Sequence, residues 1–178
     1  EFIGNDDVCL ILGDNLIHGH RLPEVLIEAK NKVEKNQKNI IFGYNVTKPE
    51  KYGIANLVKD KLIEIEEKPK NPKSNWCVIG LYMYKNKSIK MAKNLKPSKR
   101  KELEITDLNN LMIKNNELDI SLLGRGYTWF DTGSYSDLIS ASNFVSLIES
   151  RQNLKLGCIE ETAYSEGFIN KSQYLEVI

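Results

Sequence analysis

Cysteine and histidine are scarce in this sequence. Its 178 residues hold three cysteines, Cys9, Cys77 and Cys158, with no CxxC spacing. Neither a disulfide framework nor a zinc site is indicated, and a reducing cytoplasm fits best. The two histidines, His18 and His20, sit two apart without an acidic or cysteine ligand at a metal-site spacing, and read as surface or capping residues in a loop. A Ser-His-Asp or Cys-His arrangement is not suggested anywhere. Excess charge is missing too: 25 basic and 24 acidic side chains leave a net charge of +1. No bulk field therefore draws the chain to nucleic acid or to an anionic bilayer, and any phosphate binding has to come from a local cluster. The longest apolar run, Val8 to Leu12, is far short of the roughly 20 residues a membrane helix needs. There is also no GxGxxG and no GxxxxGK[ST], so no glycine-rich turn cradles a triphosphate.

What is present is the composition of a soluble globular protein, 41% hydrophobic and 28% charged, enough for one sizeable core. The sequence opens at Glu1 without Met and closes inside an amphipathic segment at Tyr174 to Ile178. Both ends read as cuts through a longer polypeptide.

Val8 to Leu12, followed by Gly13-Asp14-Asn15, has the pattern of a strand buried on both faces that runs into a loop. Leu22, Val25, Leu26, Ala29 and Val33 form a helical stripe, and Ile40 to Val46 reads as a second buried strand. Strand, helix and strand in that order make a crossover unit, which implies at least some parallel pairing. Ile54 to Val58 and Leu62 to Ile65 form a hairpin around Lys59-Asp60-Lys61, and Lys68-Pro69 with Pro72 breaks the ladder. Further strands are expected at Cys77 to Tyr84, Ile120 to Leu123 and Tyr127 to Phe130, and helices at about 86–94 and 105–116. Ser134 is positioned to cap a helix with Asp137 three residues on, and a helical tail follows from about residue 156.

Ligands in open α/β sheets gather at the carboxyl ends of strands. Asp14 and Asp131 both stand there, and each either caps a turn or holds a divalent cation. Together they could share one magnesium, which prefers oxygen ligands and retains waters and substrate phosphates. Glu66-Glu67-Lys68-Pro69 is either a solvated charge run or a carboxylate for sugar hydroxyls beside a lysine for phosphate. Tyr52-Gly53 is either a plain turn or a place where backbone approaches a ligand. Ser98 to Lys101 is the dense basic cluster: a solvated helix start, or a phosphate fork from Arg100.

In this order and spacing the motifs resemble a known family. Val8 to Asn15, Tyr52-Gly53, Glu66 to Pro69, Gly80-Leu81-Tyr82, Glu102 to Asp107 and Gly124 to Gly133 resemble the bacterial sugar-phosphate nucleotidylyltransferases. Lys93 to Ser98 and Ser142-Asn143-Phe144 favour the glucose-1-phosphate thymidylyltransferase branch. The resemblance implies a mixed, largely parallel, Rossmann-like sheet of the nucleotide-diphospho-sugar transferase type, flanked by helices. Residues 1–155 would be the C-terminal part of the catalytic domain, and 156–178 the start of a helical tail. It further implies transfer of a deoxythymidylyl group from dTTP to glucose 1-phosphate. Asp14 and Asp131 would hold Mg2+, Lys68 and Arg100 would grip the sugar phosphate, and Glu67 and Gly53 would contact the sugar. A homo-oligomer is implied as well, with Arg125 and Glu161 at a regulatory nucleotide site.

Some positions depart from the family pattern. Lys101 stands where many relatives have glycine, Ile79 where many have threonine, and Gly157 and Ser165 where the regulatory site has a serine and an arginine. The family's opening segment, with its triphosphate-binding loop, is not in this sequence, so the chain is expected to be inactive by itself. Uridylyl or adenylyl transfer, and a non-catalytic sugar-phosphate module, are the alternatives.

Overall fold

A computed structural model describes residues 2–36, 38–98 and 101–178. The chain forms two units, Glu1–Trp129 and Phe130–Ile178. In the first, β1 (Val8–Ile11) and β2 (Asn15–Gly19) precede α1 (Leu22–Asn36) and β3 (Asn39–Asn45). A 3₁₀ turn at Pro49–Lys51 leads to β4 (Gly53–Val58), β5 (Lys61–Glu67) and β6 (Trp76–Tyr84). Helices α2 (Ser88–Lys93) and α3 (Ile105–Lys114) and then β7 (Leu118–Leu123) follow, and β8 (Tyr127–Asp131) runs across the boundary.

The main sheet runs β5-β4-β6-β3-β7, with β1 also paired to β6; β2 pairs with β8 separately. The α/β class and mixed sheet agree with the sequence pattern, but the sheet is not largely parallel. Among the described pairings, only β3 with β7 is parallel; β1 and β3 each run antiparallel to β6, as does β4, and β4 is antiparallel to β5. The crossover through α1 does make β1 and β3 point the same way, yet β6 lies between them. The β4–β5 hairpin turns on Lys59 and Asp60, both at positive φ (49° and 62°), the backbone that matches strand twist in a two-residue turn.

Alternation along β6 builds two cores. Cys77, Ile79, Leu81 and Met83 face Ala29 and Val33 of α1, whereas Tyr82 and Tyr84 face Leu108 and Met112 of α3. β3 is buried from Asn39 to Gly43 because helices cover both of its faces. β1 departs from expectation: Leu10 and Ile11 are 38% and 56% exposed. It pairs along β6, and only Val8 packs against a core cluster; hydrophobicity alone does not bury a strand. The segment after it also differs, since His18 lies in β2 rather than in a loop.

The second unit contains α4 (Tyr135–Gln152), α5 (Ile159–Ser165) and α6 (Lys171–Val177). The Ser134 hydroxyl accepts the Asp137 N–H at 3.2 Å, the expected cap. Asn170 and Gln173 form a reciprocal capping box on α6. Among the described residues, no helix is long and apolar enough to cross a membrane.

Candidate functional site

The turn after β1 is fixed by its backbone. Leu12 N–H donates to Gly80 O (2.8 Å), and Asn15 N–H donates to Leu12 O (3.1 Å), closing a four-residue turn with Gly13 and Asp14 at its centre. The side chain of Asn15 then binds three ways. Its Nδ2 donates to Asp14 Oδ1 at 2.8 Å, and its Oδ1 accepts both Gly80 N–H at 3.0 Å and Trp129 Nε1–H at 2.6 Å. A Cβ on Gly80 would lie 2.6 Å from Asn15 Nδ2, so only glycine permits this approach. Asn15 and Trp129 were not singled out from the sequence. The available signal was a glycine inside the apolar strand β6, which marks close approach of another group.

A second group forms where β4 and β5 meet. Gly53 pairs with Glu67 in register, and a Cβ at Gly53 would stand 3.2 Å from Glu67 Oε2 and 3.5 Å from Thr106 Oγ1. Thr106, buried in the first turn of α3, donates its hydroxyl to Glu67 Oε2 at 2.6 Å. The Tyr82 hydroxyl is pushed up to about 12, chiefly by burial and then by the negative charge of Glu67. Glu66 points to the opposite face, as strand alternation requires. There it accepts Asn56 Nδ2 (2.7 Å) and Lys73 Nζ (2.5 Å), and the lysine, then the amide, holds its carboxyl below the usual range. The two adjacent glutamates thus have different partners, and Glu67 is the one beside Gly53.

Lys68 follows with φ 43° and an exposed side chain. Its N–H donates to Tyr52 O at 3.0 Å. The Tyr52 ring meets Trp129 edge-on, with centroids 5.2 Å apart. A continuous series of contacts therefore links Asp14, through Asn15, Trp129 and Tyr52, to Gly53, Glu67 and Lys68.

Arg100 lies outside the described residues. Beside it, Ser98 N–H donates to Glu102 O (2.8 Å), Lys101 N–H donates to Ser98 O (2.9 Å), and Lys101 adopts φ 64°. Arg125 is exposed in the turn between β7 and β8. In the second unit, Asp131 Oδ1 accepts Gly133 N–H at 3.0 Å, the turn-capping bond open to a strand-end aspartate, and Glu161 is exposed on α5. Among the described residues, no three His, Cys, Asp or Glu side chains gather into a metal cage. A lone carboxylate turn such as that of Asp14 suits magnesium, which takes one or two carboxylates and fills its shell with water and phosphate oxygens.

The family model described as nucleotidyl transferase matches residues 1–147. The chain belongs to that family. It is 41% identical over 178 residues to a glucose-1-phosphate thymidylyltransferase of Neisseria meningitidis, covering 99% of this chain and 61% of that relative. Against a glucose-1-phosphate thymidylyltransferase of Xanthomonas campestris the identity is 45% over 174 residues, covering 97% of this chain and 58% of the relative. The chain thus spans about three fifths of the length of these relatives. Among solved structures, a Bacillus anthracis protein in complex with sucrose aligns with TM-score 0.70 at 38% identity, over 80% of this chain and 56% of that one. A UDP-glucose pyrophosphorylase complexed with UDP-glucose aligns with TM-score 0.69 at 28% identity, over 80% and 57%. These neighbours share the nucleotide-diphospho-sugar transferase fold.

Proposed function

We propose that this chain supplies the sugar-phosphate part of a magnesium-dependent glucose-1-phosphate thymidylyltransferase. The observation that carries the reading is the facing pair of Gly53 backbone and Glu67 carboxylate at the ends of β4 and β5, with Lys68 as the next residue. Such a group can accept hydroxyl protons of a hexose, lie flat against its ring and neutralise its phosphate. The names of the more identical relatives support the thymidylyl base.

In the reaction, a phosphate oxygen of glucose 1-phosphate attacks the α-phosphorus of dTTP. One P–O bond forms as the bond to the β-phosphate oxygen breaks, and pyrophosphate leaves with that electron pair. Lys68 and Arg100 neutralise the sugar phosphate so that two polyanions can meet; each unit-charge pair at about 4 Å otherwise costs about 4 kcal/mol at an effective dielectric constant of 20. Glu67, braced by Thr106, accepts from a sugar hydroxyl, and Gly53 allows close backbone approach. Asp14 and Asp131 would hold magnesium, which when bound supplies charge neutralisation at the reacting phosphates. Catalysis is then mainly alignment and electrostatics.

The test is pyrophosphate release by a full-length enzyme carrying this sequence, with magnesium, glucose 1-phosphate and each nucleoside triphosphate in turn. Preference for dTTP, with kcat lost in Asp14→Asn and Asp131→Asn, is expected; near-normal turnover by either variant rejects the metal assignment. Uridylyl transfer is the second reading, supported by the UDP-glucose pyrophosphorylase neighbour, and preference for UTP would establish it. This chain by itself is expected to be inactive.

A further inference from the structure

Asn15 has no part in the reaction outlined above, yet it makes the most specific contacts in the acidic turn. We propose that Asn15 is a positioning residue: its amide sets the Asp14 carboxylate relative to Trp129, and cation affinity at Asp14 depends on it. This rests on the reading of Asp14 as a magnesium ligand.

The orientation of the amide is decided by its partners. Two N–H groups, from Gly80 and Trp129, converge on Oδ1 at 3.0 and 2.6 Å, so this atom must be the acceptor. Reversing the amide would set an NH2 against two donors. Nδ2 consequently faces Asp14 Oδ1, 2.8 Å away. Both anchors are themselves held. Gly80 N–H belongs to β6 and tolerates no Cβ beside Asn15. Trp129 is packed by Tyr52 and Tyr44, with ring centroids 5.2 and 5.9 Å away. A carboxylate whose rotamer is fixed before the cation arrives loses less freedom on binding, and partners that orient metal ligands carry much of a site's affinity. The same contacts put the Trp129 indole one side chain away from Asp14, which makes it a reporter of what happens there.

The experiment is nitrogen-15 NMR of the full chain titrated with magnesium chloride. In the wild type, the amides of Gly13 to Asn15 and the Trp129 indole N–H are expected to shift with one common Kd. Asn15→Leu should weaken that Kd about tenfold and uncouple the indole resonance, while resonances of β3 and α3 stay in place. A merely structural role for Asn15 would leave the indole response and Kd intact once the variant is folded, and that result overturns the proposal. Should Asn15→Leu fail to fold, Trp129→Phe removes only the indole donor; unchanged magnesium affinity in this variant then overturns the proposal. A wild-type chain whose Gly13 to Asn15 amides do not respond to magnesium overturns the reading of Asp14 itself, a result distinct from the others.

Discussion

Thr106 Oγ1 and Glu67 Oε2 lie 2.6 Å apart, joining the first turn of α3 to the last residue of β5. The bond braces a half-buried carboxylate from the side of the helix. Thr106→Val removes the donor at constant shape and is expected to cost about 1.5–3 kcal/mol, the range for hydrogen bonds to charged groups. Thermal unfolding of the chain measures that loss, and calorimetry should show weaker glucose 1-phosphate binding in the same variant. Unchanged stability would mean that water replaces the hydroxyl fully.

Gly80 is the second sensitive point. Because its Cβ would sit 2.6 Å from the Asn15 amide, Gly80→Ala forces apart the β6 backbone and the acidic turn. A loss of about 1–3 kcal/mol is expected from such overpacking, read as a lower urea midpoint with an unchanged slope.

Lys101 presents the opposite case. A φ of 64° costs a side-chain-bearing residue roughly 1–2 kcal/mol, so Lys101→Gly should relieve strain, offset in part by the greater freedom of glycine in the unfolded chain. A small rise in Tm is expected, with Lys101→Ala showing none.

Stability should fall at both pH extremes. At Asp7, burial pushes the carboxyl up, but the Lys85 ammonium and the Asn86 N–H together outweigh it and hold the group below its ordinary 3.8. Glu66 is likewise held below 4.5, by Lys73 and then Asn56. Lowered carboxyls contribute stability that is present above their unfolded values and lost as pH falls through the folded ones. On the alkaline side, Tyr82 rises from 10.0 to about 12, mainly through burial. Its contribution is complete below pH 10 and is lost as pH climbs to about 12. Urea midpoints should therefore be level near neutrality and decline below about 4.5 and above 10, with Tyr82→Phe making the alkaline arm shallower while Tyr84, pushed up by its own burial, retains the rest.

Much of the framework was legible in the sequence because it follows local periodicity. The stripe ending at Ala29 and Val33 becomes the buried face of α1, the runs from Ile40 and Cys77 become β3 and β6, and Ser134 caps α4. Glu67 and Gly53 were legible as a motif, and the structure adds that the two face each other while alternation turns Glu66 toward Lys73. The position of β6 between β1 and β3 was not legible, since nothing local encodes which strand inserts between two others. Nor was the Asn15 to Trp129 bond, whose partners are 114 residues apart. The exposure of β1 escaped for the same reason, because an apolar run states a preference and the neighbouring elements decide whether it is met.

The central claim is that Gly53, Glu67 and Lys68 form a site for a hexose phosphate. Calorimetric titration of this chain with glucose 1-phosphate, alongside Lys68→Ala, tests it most directly. Alanine keeps the left-handed backbone cost at this position, where φ is 43°, so the comparison reads the lost ammonium. The account predicts saturable binding by the wild type that weakens about tenfold or more in Lys68→Ala, the scale of a hydrogen bond to a charged group. Equal affinity in the two proteins would contradict it.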